Sequence, residues 1–281
     1  MLYNLKQILD LAEKDGYAVP AFNVYNVETV MAVLKAAEEA RSPVIMQLYS
    51  RLVTTGISDF VCPVVLEAAK KATVPVCLHL DHGSGEDAVT IALRNGMTGI
   101  MIDYSTLDLD ANIAGTKKVV EMCNLVGVQV EGELGHIGKA AEGVSNQFTE
   151  VKDAIKYVNE TGVTALAVQV GTAHGRYKQA PVLAIDRIRE IKEATGVHLV
   201  LHGGSGVPDD QIKAAVAAGI RKMNFSTDLC YTFIENVQKQ DKNKVAIDLI
   251  MKEPIEEVKK FCLSKIDVLG SRNRVWKKLL E

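Results

Sequence analysis

No Cys-x-x-Cys pair occurs in this chain of 281 residues, and its five cysteines (Cys62, Cys77, Cys123, Cys230 and Cys262) are odd in number and widely separated. The pattern excludes a disulfide framework and reads as reduced thiols of a cytoplasmic protein. An excess of charge of either sign is also missing. The 32 Lys and Arg against 35 Asp and Glu leave a formal net charge of −3, which argues against nucleic acid as a partner, because neutralising phosphates needs many cations. No apolar run approaches the roughly 20 residues that cross a bilayer, so no membrane partner is expected. The opening MLYNLKQILDLAEKDG is amphipathic and acidic, unlike a targeting peptide. No linker, low-complexity tract or short internal repeat interrupts the chain. Residues 1–281 therefore read as a single domain, long enough to build its own core.

What is present is an alternation. Eight apolar runs of strand length occur, at Tyr17–Asn23, Pro43–Leu48, Val74–Asp81, Gly99–Asp103, Val126–Leu134, Ala165–Val170, Val197–His202 and Lys222–Ser226. Stretches of helical period lie between them, such as Val27–Arg41, Glu86–Asn95, Asn112–Asn124, Val151–Glu160, Ile185–Glu193 and Asp209–Ala218. Several end in Gly, as at Gly96, Gly162, Gly196 and Gly219, the residue that takes a helix C-terminus to positive φ. Runs that are apolar on both faces suit a parallel sheet covered by helices. Eight β-then-α units predict an α/β fold of the (β/α)8 TIM-barrel type, with the tail 241–281 as additional C-terminal helices. A doubly wound sheet is the competing architecture. It needs a glycine-rich turn after its first strand, and AFNVYN has no glycine.

A barrel builds its site from the loops after its strands. The ends of all eight runs carry polar residues: Asn23, the segment from Gln47 to Arg51, Asp81-His82, Asp103 to Ser105, Glu133, His174, His202 to Ser205, and Asn224 to Thr227. Interior run positions seldom do. Helix capping accounts for some of these, since Ser, Thr, Asp and Asn also start helices. His82, His174 and His202 end three different runs. Their spacing is no motif, but a barrel would bring them to one rim, and imidazole suits Zn2+. His79 and His198 lie inside runs and read as core or supporting histidines; His136 reads as a surface residue. The segments Gly171-Thr-Ala-His-Gly175 and His202-Gly-Gly-Ser-Gly206, with Ser226-Thr227, fit a phosphate site of backbone N–H groups and hydroxyls. Asp81, next to His82, suits either of two roles: orienting the ligand or acting as acid/base.

At VCLHLDHG (76–83) the sequence resembles the class II, zinc-dependent ketose-bisphosphate aldolases, the group of fructose- and tagatose-bisphosphate aldolases. YAVPAFNV (17–24), GIMIDYS (99–105), GTAHGRYK (171–178), LVLHGGSGVP (199–208) and GIRKMNFSTD (219–228) match in the same order. The resemblance implies Zn2+ on His82, His174 and His202, with Glu133 in the metal region as an alternate ligand. It implies Asp81 as the acid/base on the hydroxyl beside the broken bond. Asn224 would contact the three-carbon fragment, while Gly175, Gly203, Ser205, Ser226 and Thr227 would hold the phosphate of dihydroxyacetone phosphate. Asn23 and Ser50 would approach the aldehyde half. Many relatives add a monovalent cation, Na+ or K+, near the phosphate loops, and most are homodimers or homotetramers.

Two departures from the family pattern stand out. The glutamate that moves the second proton is replaced by Ala141, which leaves Glu142 as the substitute. The family's Asp-Gly-Ser is Asp103-Tyr104-Ser105 here, adding bulk where the site is expected. Arg51 suits the anionic end of the aldehyde half, whether phosphate, carboxylate or sulfonate, through forked hydrogen bonds. Arg272 and Arg274 are weaker candidates that would reach a neighbouring subunit. The expected reaction is reversible cleavage of a ketose 1-phosphate or bisphosphate. The competing readings are a degenerate sugar-phosphate-binding barrel and a metal-dependent epimerase on the same scaffold.

Overall fold

The computed structural model describes residues 1–143 and 147–275. Helix α1 (Leu5–Asp15) leads into β1 (Val19–Asn23), α2 (Val27–Ala40) and β2 (Val44–Tyr49). Two helices, α3 (Ser50–Thr54) and α4 (Ser58–Lys71), precede β3 (Val76–Gly83), followed by α5 (Glu86–Arg94), β4 (Gly99–Ile102), α6 (Leu109–Asn124) and β5 (Gln129–Leu134). A 3-10 turn (Ala140–Glu142) comes before α7 (Val151–Thr161), β6 (Ala165–Val168), α8 (Ile185–Thr195), β7 (His198–Leu201), α9 (Asp209–Ala218), β8 (Ile220–Phe225) and α10 (Thr227–Gln238). The tail adds α11 (Ile247–Ile250) and α12 (Lys252–Val268). The strands close in sequence order, and every pairing is parallel, β8 to β1 included. All eight sequence runs overlap a strand, and the open-sheet alternative falls.

Local chemistry sets the helix ends. Asn4 and Asn26 accept hydrogen bonds from the backbone N–H groups of Gln7 and Thr29, in reciprocal caps that begin α1 and α2. Gly162 and Gly196 take φ of 70° and 66° after α7 and α8, as their places in the sequence require. The larger apolar core lies between strands and helices, where Phe22, Met46, Leu78, Ile100, Leu166 and Phe225 meet the covering helices. The second core fills one end of the barrel. There Leu5, Ile8, Leu9 and Ala12 of α1 pack on Val19, Ala21, Ile45, Cys77, Ala165, Ala167 and Val200. The amphipathic opening segment is thus the barrel's floor, at the N-terminal ends of the strands. The C-terminal α12 lies against α2 and α10.

The barrel interior overturns one expectation. Polar residues are not confined to strand ends: His79, Glu131 and Lys222 are fully buried within β3, β5 and β8. Strand alternation explains them. Each lies two residues before a strand-end group, Asp81, Glu133 or Asn224, and so faces inward with it.

Candidate metal and phosphate site

His82 has φ of 48°, an uncommon conformation for a residue with a Cβ. The register of β3 against β4 shifts between Leu80 and Gly83, across the same turn. Adjacent strand residues would point to opposite faces. Here the kink brings Asp81 and His82 to one cavity, with His82 Nε2 4.0 Å from Asp81 Oδ1. The His82 backbone N–H, displaced from the ladder, donates to Met101 Sδ at 3.4 Å.

The three histidines converge. Ring centroids are 4.8 Å apart for His82 and His202, 4.9 Å for His82 and His174, and 5.9 Å for His174 and His202. A partner behind each of two rings fixes its tautomer. His82 Nδ1 donates to Asp103 Oδ2 at 2.7 Å, and His202 Nε2 donates to Glu131 Oε1 at 2.7 Å. The nitrogens left over, His82 Nε2 and His202 Nδ1, face each other at 3.0 Å. Two lone pairs at that separation repel unless a cation or a proton lies between them. His174 is held by its backbone, whose N–H donates to Gly138 O while its carbonyl accepts from Ala140 N, both at 2.8 Å. Its Nε2 is buried without a partner, as is Glu133 Oε2.

Donor atoms of His82, His174 and His202 lie within 4.8 Å of one another, and so do those of His82, Asp103 and Glu133. Glu133 Oε2 is 3.9 Å from His82 Nδ1 and 3.8 Å from His202 Nδ1. Imidazoles with carboxylates, orphaned buried donors and opposed lone pairs fit a divalent cation. In the metal-free cavity the neighbouring charges decide which groups hold protons. Burial disfavours a charged His82 ring, but the Asp81, Asp103 and Glu133 carboxylates outweigh it and raise that imidazole to about 9. Burial and the Asp103 charge push Glu133 up to about 8. Burial, with His82 beside it, lowers His174 to about 4, and burial also holds His202 well below the usual histidine range.

Beside the rings a pocket is lined by Asn23, Asp81, His174, Gly175, Gly203, Ser205, Asn224, Ser226 and Thr227. Asp81 is 4% exposed. Its two oxygens accept from Asn23 Nδ2 at 2.8 Å and Asn224 Nδ2 at 3.2 Å, and Asn23 Oδ1 in turn accepts from Gln47 Nε2 at 2.9 Å. Gly203 must be glycine: its φ is 67°, and a Cβ there would lie 2.4 Å from Ala173 O. Tyr177 ties the two glycine-rich loops together. Its hydroxyl donates to Gly203 O and accepts from Ala173 N, both at 2.8 Å. Thr227 opens α10, so the N-terminus of that helix faces the pocket.

Other sequence candidates lie elsewhere. Ser50 begins α3 and exchanges hydrogen bonds with Ser84, outside the pocket lining. Arg51 is exposed, its guanidinium 5.5 Å from the Tyr49 ring centroid, and that ring is 5.9 Å from the His82 ring. Glu142 closes the 3-10 turn after β5, and its side chain lies outside the described residues. The Tyr104 expectation fails, because the ring packs on Gly115 of α6, away from the cavity. Arg272 pairs with Asp267, and Arg274 lies over the Tyr17 ring at the opposite end of the barrel. His198 sits at that end too, paired with Asp10 at 3.0 Å. His136 is exposed, as expected, with Nδ1 3.1 Å from Ser105 Oγ. The residues sequence reasoning missed are Glu131, Lys222 and Tyr177. Two-residue spacing from Glu133 and Asn224 is the signal that finds the first two.

Residues 3–274 match the family model described as fructose-bisphosphate aldolase class-II. The chain is 40% identical to the probable fructose-bisphosphate aldolase of Bacillus subtilis (strain 168), over 81% of this chain and 82% of that one. It is 36% identical to the sulfofructosephosphate aldolase of Alkalicoccus urumqiensis, over 83% of each. The crystal structure of the YdjI aldolase from Escherichia coli K12 superposes with a TM-score of 0.90 at 35% identity, covering 98% of this chain and 100% of that one. The chain belongs to the class II fructose-bisphosphate aldolase family and is an aldolase, a carbon–carbon lyase.

Proposed function

We propose that this class II aldolase reversibly cleaves a ketose 1-phosphate or ketose bisphosphate to dihydroxyacetone phosphate and an aldehyde, with Zn2+ held by His82, His174 and His202. The observation that carries the reading is the juxtaposition of two features in one cavity. The imidazoles meet at one edge, and the glycine-rich loops with Ser205, Ser226 and Thr227 form the other. Asp81 lies between them. Zinc, when bound, supplies Lewis-acid stabilisation of the negative charge that develops beside the carbonyl as the carbon–carbon bond breaks.

The chain's own residues supply the rest. Backbone N–H groups of the Gly175 and Gly203–Ser205 loops, the hydroxyls and the α10 N-terminus bind the phosphate dianion and fix the reacting carbons relative to Asp81. Asp81 takes the proton of the hydroxyl next to the breaking bond. Two amides aim its carboxylate and leave it no freedom to turn away. No lysine adduct is required, since the charge has another sink. Asn224 reaches the three-carbon fragment, and Asn23 and Ser50 mark the aldehyde side. Glu142 serves the second proton transfer on its sequence position alone. Glu133 is the alternate ligand, and Na+ or K+ near the phosphate loops is part of the reading. So is a cytoplasmic homodimer or homotetramer, in keeping with five unpaired thiols.

Arg51 binds the anionic end of the aldehyde half, which is phosphate, carboxylate or sulfonate. Its exposed guanidinium sits over Tyr49 at the rim, free to fork onto an oxyanion. Arg51→Ala should raise KM for the anionic substrate about tenfold or more while the zinc content per chain stays unchanged; an unaltered KM removes Arg51 from the site. The reaction itself is tested by offering the zinc-loaded protein a panel of ketose 1-phosphates and bisphosphates and measuring triose phosphate release. Release from at least one, lost on chelation and restored by zinc, is the expected result. Zinc-loaded protein that releases none overturns the reading.

A further inference from the structure

We infer that the Glu131–Lys222 ion pair inside the barrel is a positioning device for His202, fixing which ring nitrogen faces the metal cavity and thereby setting metal affinity. This rests on the metal site proposed above. Neither residue touches a reacting atom.

The geometry is that of a supported ligand. Glu131 Oε1 lies 2.7 Å from His202 Nε2, and Glu131 Oε2 lies 2.9 Å from Lys222 Nζ and 3.5 Å from His79 Nε2. All four side chains are fully buried. With Nε2 donating to Glu131, His202 has only Nδ1 to offer, and Nδ1 faces His82 Nε2 at 3.0 Å. A carboxylate behind a ligating imidazole fixes ring orientation and strengthens the ring as a donor. Lys222 balances the charge that Glu131 would otherwise carry alone into the barrel.

A stabilising role explains the pair poorly. In register, Glu131 is flanked by Met101 and Ala165, and Lys222 by Val200 and Val19, all apolar. The layer beneath is apolar too, with Leu9, Ile45 and Cys77. Replacing a buried ion pair by packed apolar side chains is commonly neutral or stabilising. A fold selecting only for a firm interior would continue the apolar filling upward. Here the charges stop at the layer directly under the imidazoles, where alternation pairs each with a group of the cavity above: Glu131 under Glu133, Lys222 under Asn224 and His79 under Asp81.

The test separates ligand positioning from fold stability. Zinc affinity of the purified full-length protein is measured by competition with a fluorescent chelator, without substrate, and thermal unfolding is followed on chelator-stripped protein. Glu131→Gln keeps an acceptor for Nε2 and should weaken zinc binding about tenfold. The double variant Glu131→Leu with Lys222→Met should weaken it by up to ~100-fold, the range found when such outer partners are removed. Metal-free unfolding of the double variant, which removes both charges together, should occur at or above the wild-type temperature, whereas Glu131→Gln alone strands the buried Lys222 charge and should unfold lower. Zinc affinity within twofold of wild type in Glu131→Gln overturns the inference. So does a metal-free unfolding temperature of the double variant that falls in step with its affinity. Zinc bound by wild type and equally by the variants removes this inference alone, whereas a wild-type protein that binds no zinc removes the proposed function with it.

Discussion

Two amide donors hold the Asp81 carboxylate, and the positive φ of the next residue turns His82 into the same cavity. In the proposed mechanism the chemistry depends on one acidic oxygen pair whose orientation is fixed before substrate arrives. Asp81→Asn should lower kcat by about 10^2 to 10^4, the usual weight of a general base, with KM and zinc stoichiometry close to wild type. Loss of zinc in that variant would place Asp81 among the ligands instead. The titrating groups give a second prediction, for metal-free protein. His82 is raised to about 9 and Glu133 to about 8 in the folded state. The folded chain thus holds protons that the unfolded chain releases, and stability falls as pH rises through that range. His174 and His79 are lowered by burial to about 4 and about 3. The unfolded chain binds those protons more tightly, so stability also falls as pH drops below about 6.5. Unfolding temperature of the stripped protein should peak near neutrality and decline on both sides. Zinc should flatten the alkaline decline, because the ion takes the place of the protons.

Among the elements, the two loops after β6 and β7 carry most of the proposed phosphate site, and a single side chain joins them. Tyr177 spans from Ala173 N to Gly203 O, and burial raises its phenol to about 12, so it stays protonated and donates at any working pH. Tyr177→Phe should remove both bonds, at a cost of about 1 kcal/mol each. The expected signature is a KM for phosphorylated substrate raised several-fold with kcat nearly unchanged, since in the proposed reading the loops bind phosphate but do not touch the breaking bond. An effect on kcat alone would show that the loops position Asp81 rather than the phosphate. The same loop leans on α10, where the Arg176 guanidinium lies 3.4 Å from the Tyr231 ring centroid and pairs with Glu235 at 3.1 Å. Loop, loop and helix N-terminus are therefore one coupled unit around the pocket lined by Gly175, Gly203, Ser205, Ser226 and Thr227.

At the scale of the whole molecule, the barrel is open to chemistry at one end and sealed at the other. Helix α1 seals it, with Leu9 fully buried against the inward residues of the strands. Leu9→Ala should cost about 2–5 kcal/mol through lost burial and the cavity left behind. The unfolding temperature should drop accordingly, with kcat retained well below that temperature because the floor lies far from the rim. The barrel interior then reads as layers: an apolar floor, a charged middle of His79, Glu131 and Lys222, and the cavity of ligands and carboxylates on top. The β-α alternation fixes which end is functional, because every loop that follows a strand opens on the same side.

Sequence by itself determined the barrel and which strand ends bring polar groups to its rim. Period, glycine stops and the polar end of each apolar run are local properties, and the collinear motifs carried the family. The same reasoning reached Asp81, His82, His174 and His202 at three separate strand ends. Only the tertiary structure decided how they face one another. The reversal at His82 depends on a register shift between two strands, and the tautomers of His82 and His202 depend on Asp103 and Glu131 from other strands. Tyr104 pointed outward because Gly115, eleven positions on, left it room on α6. Such contacts between distant positions have no periodicity to betray them. Directional hydrogen bonds and packing settle them only once the sheet has closed.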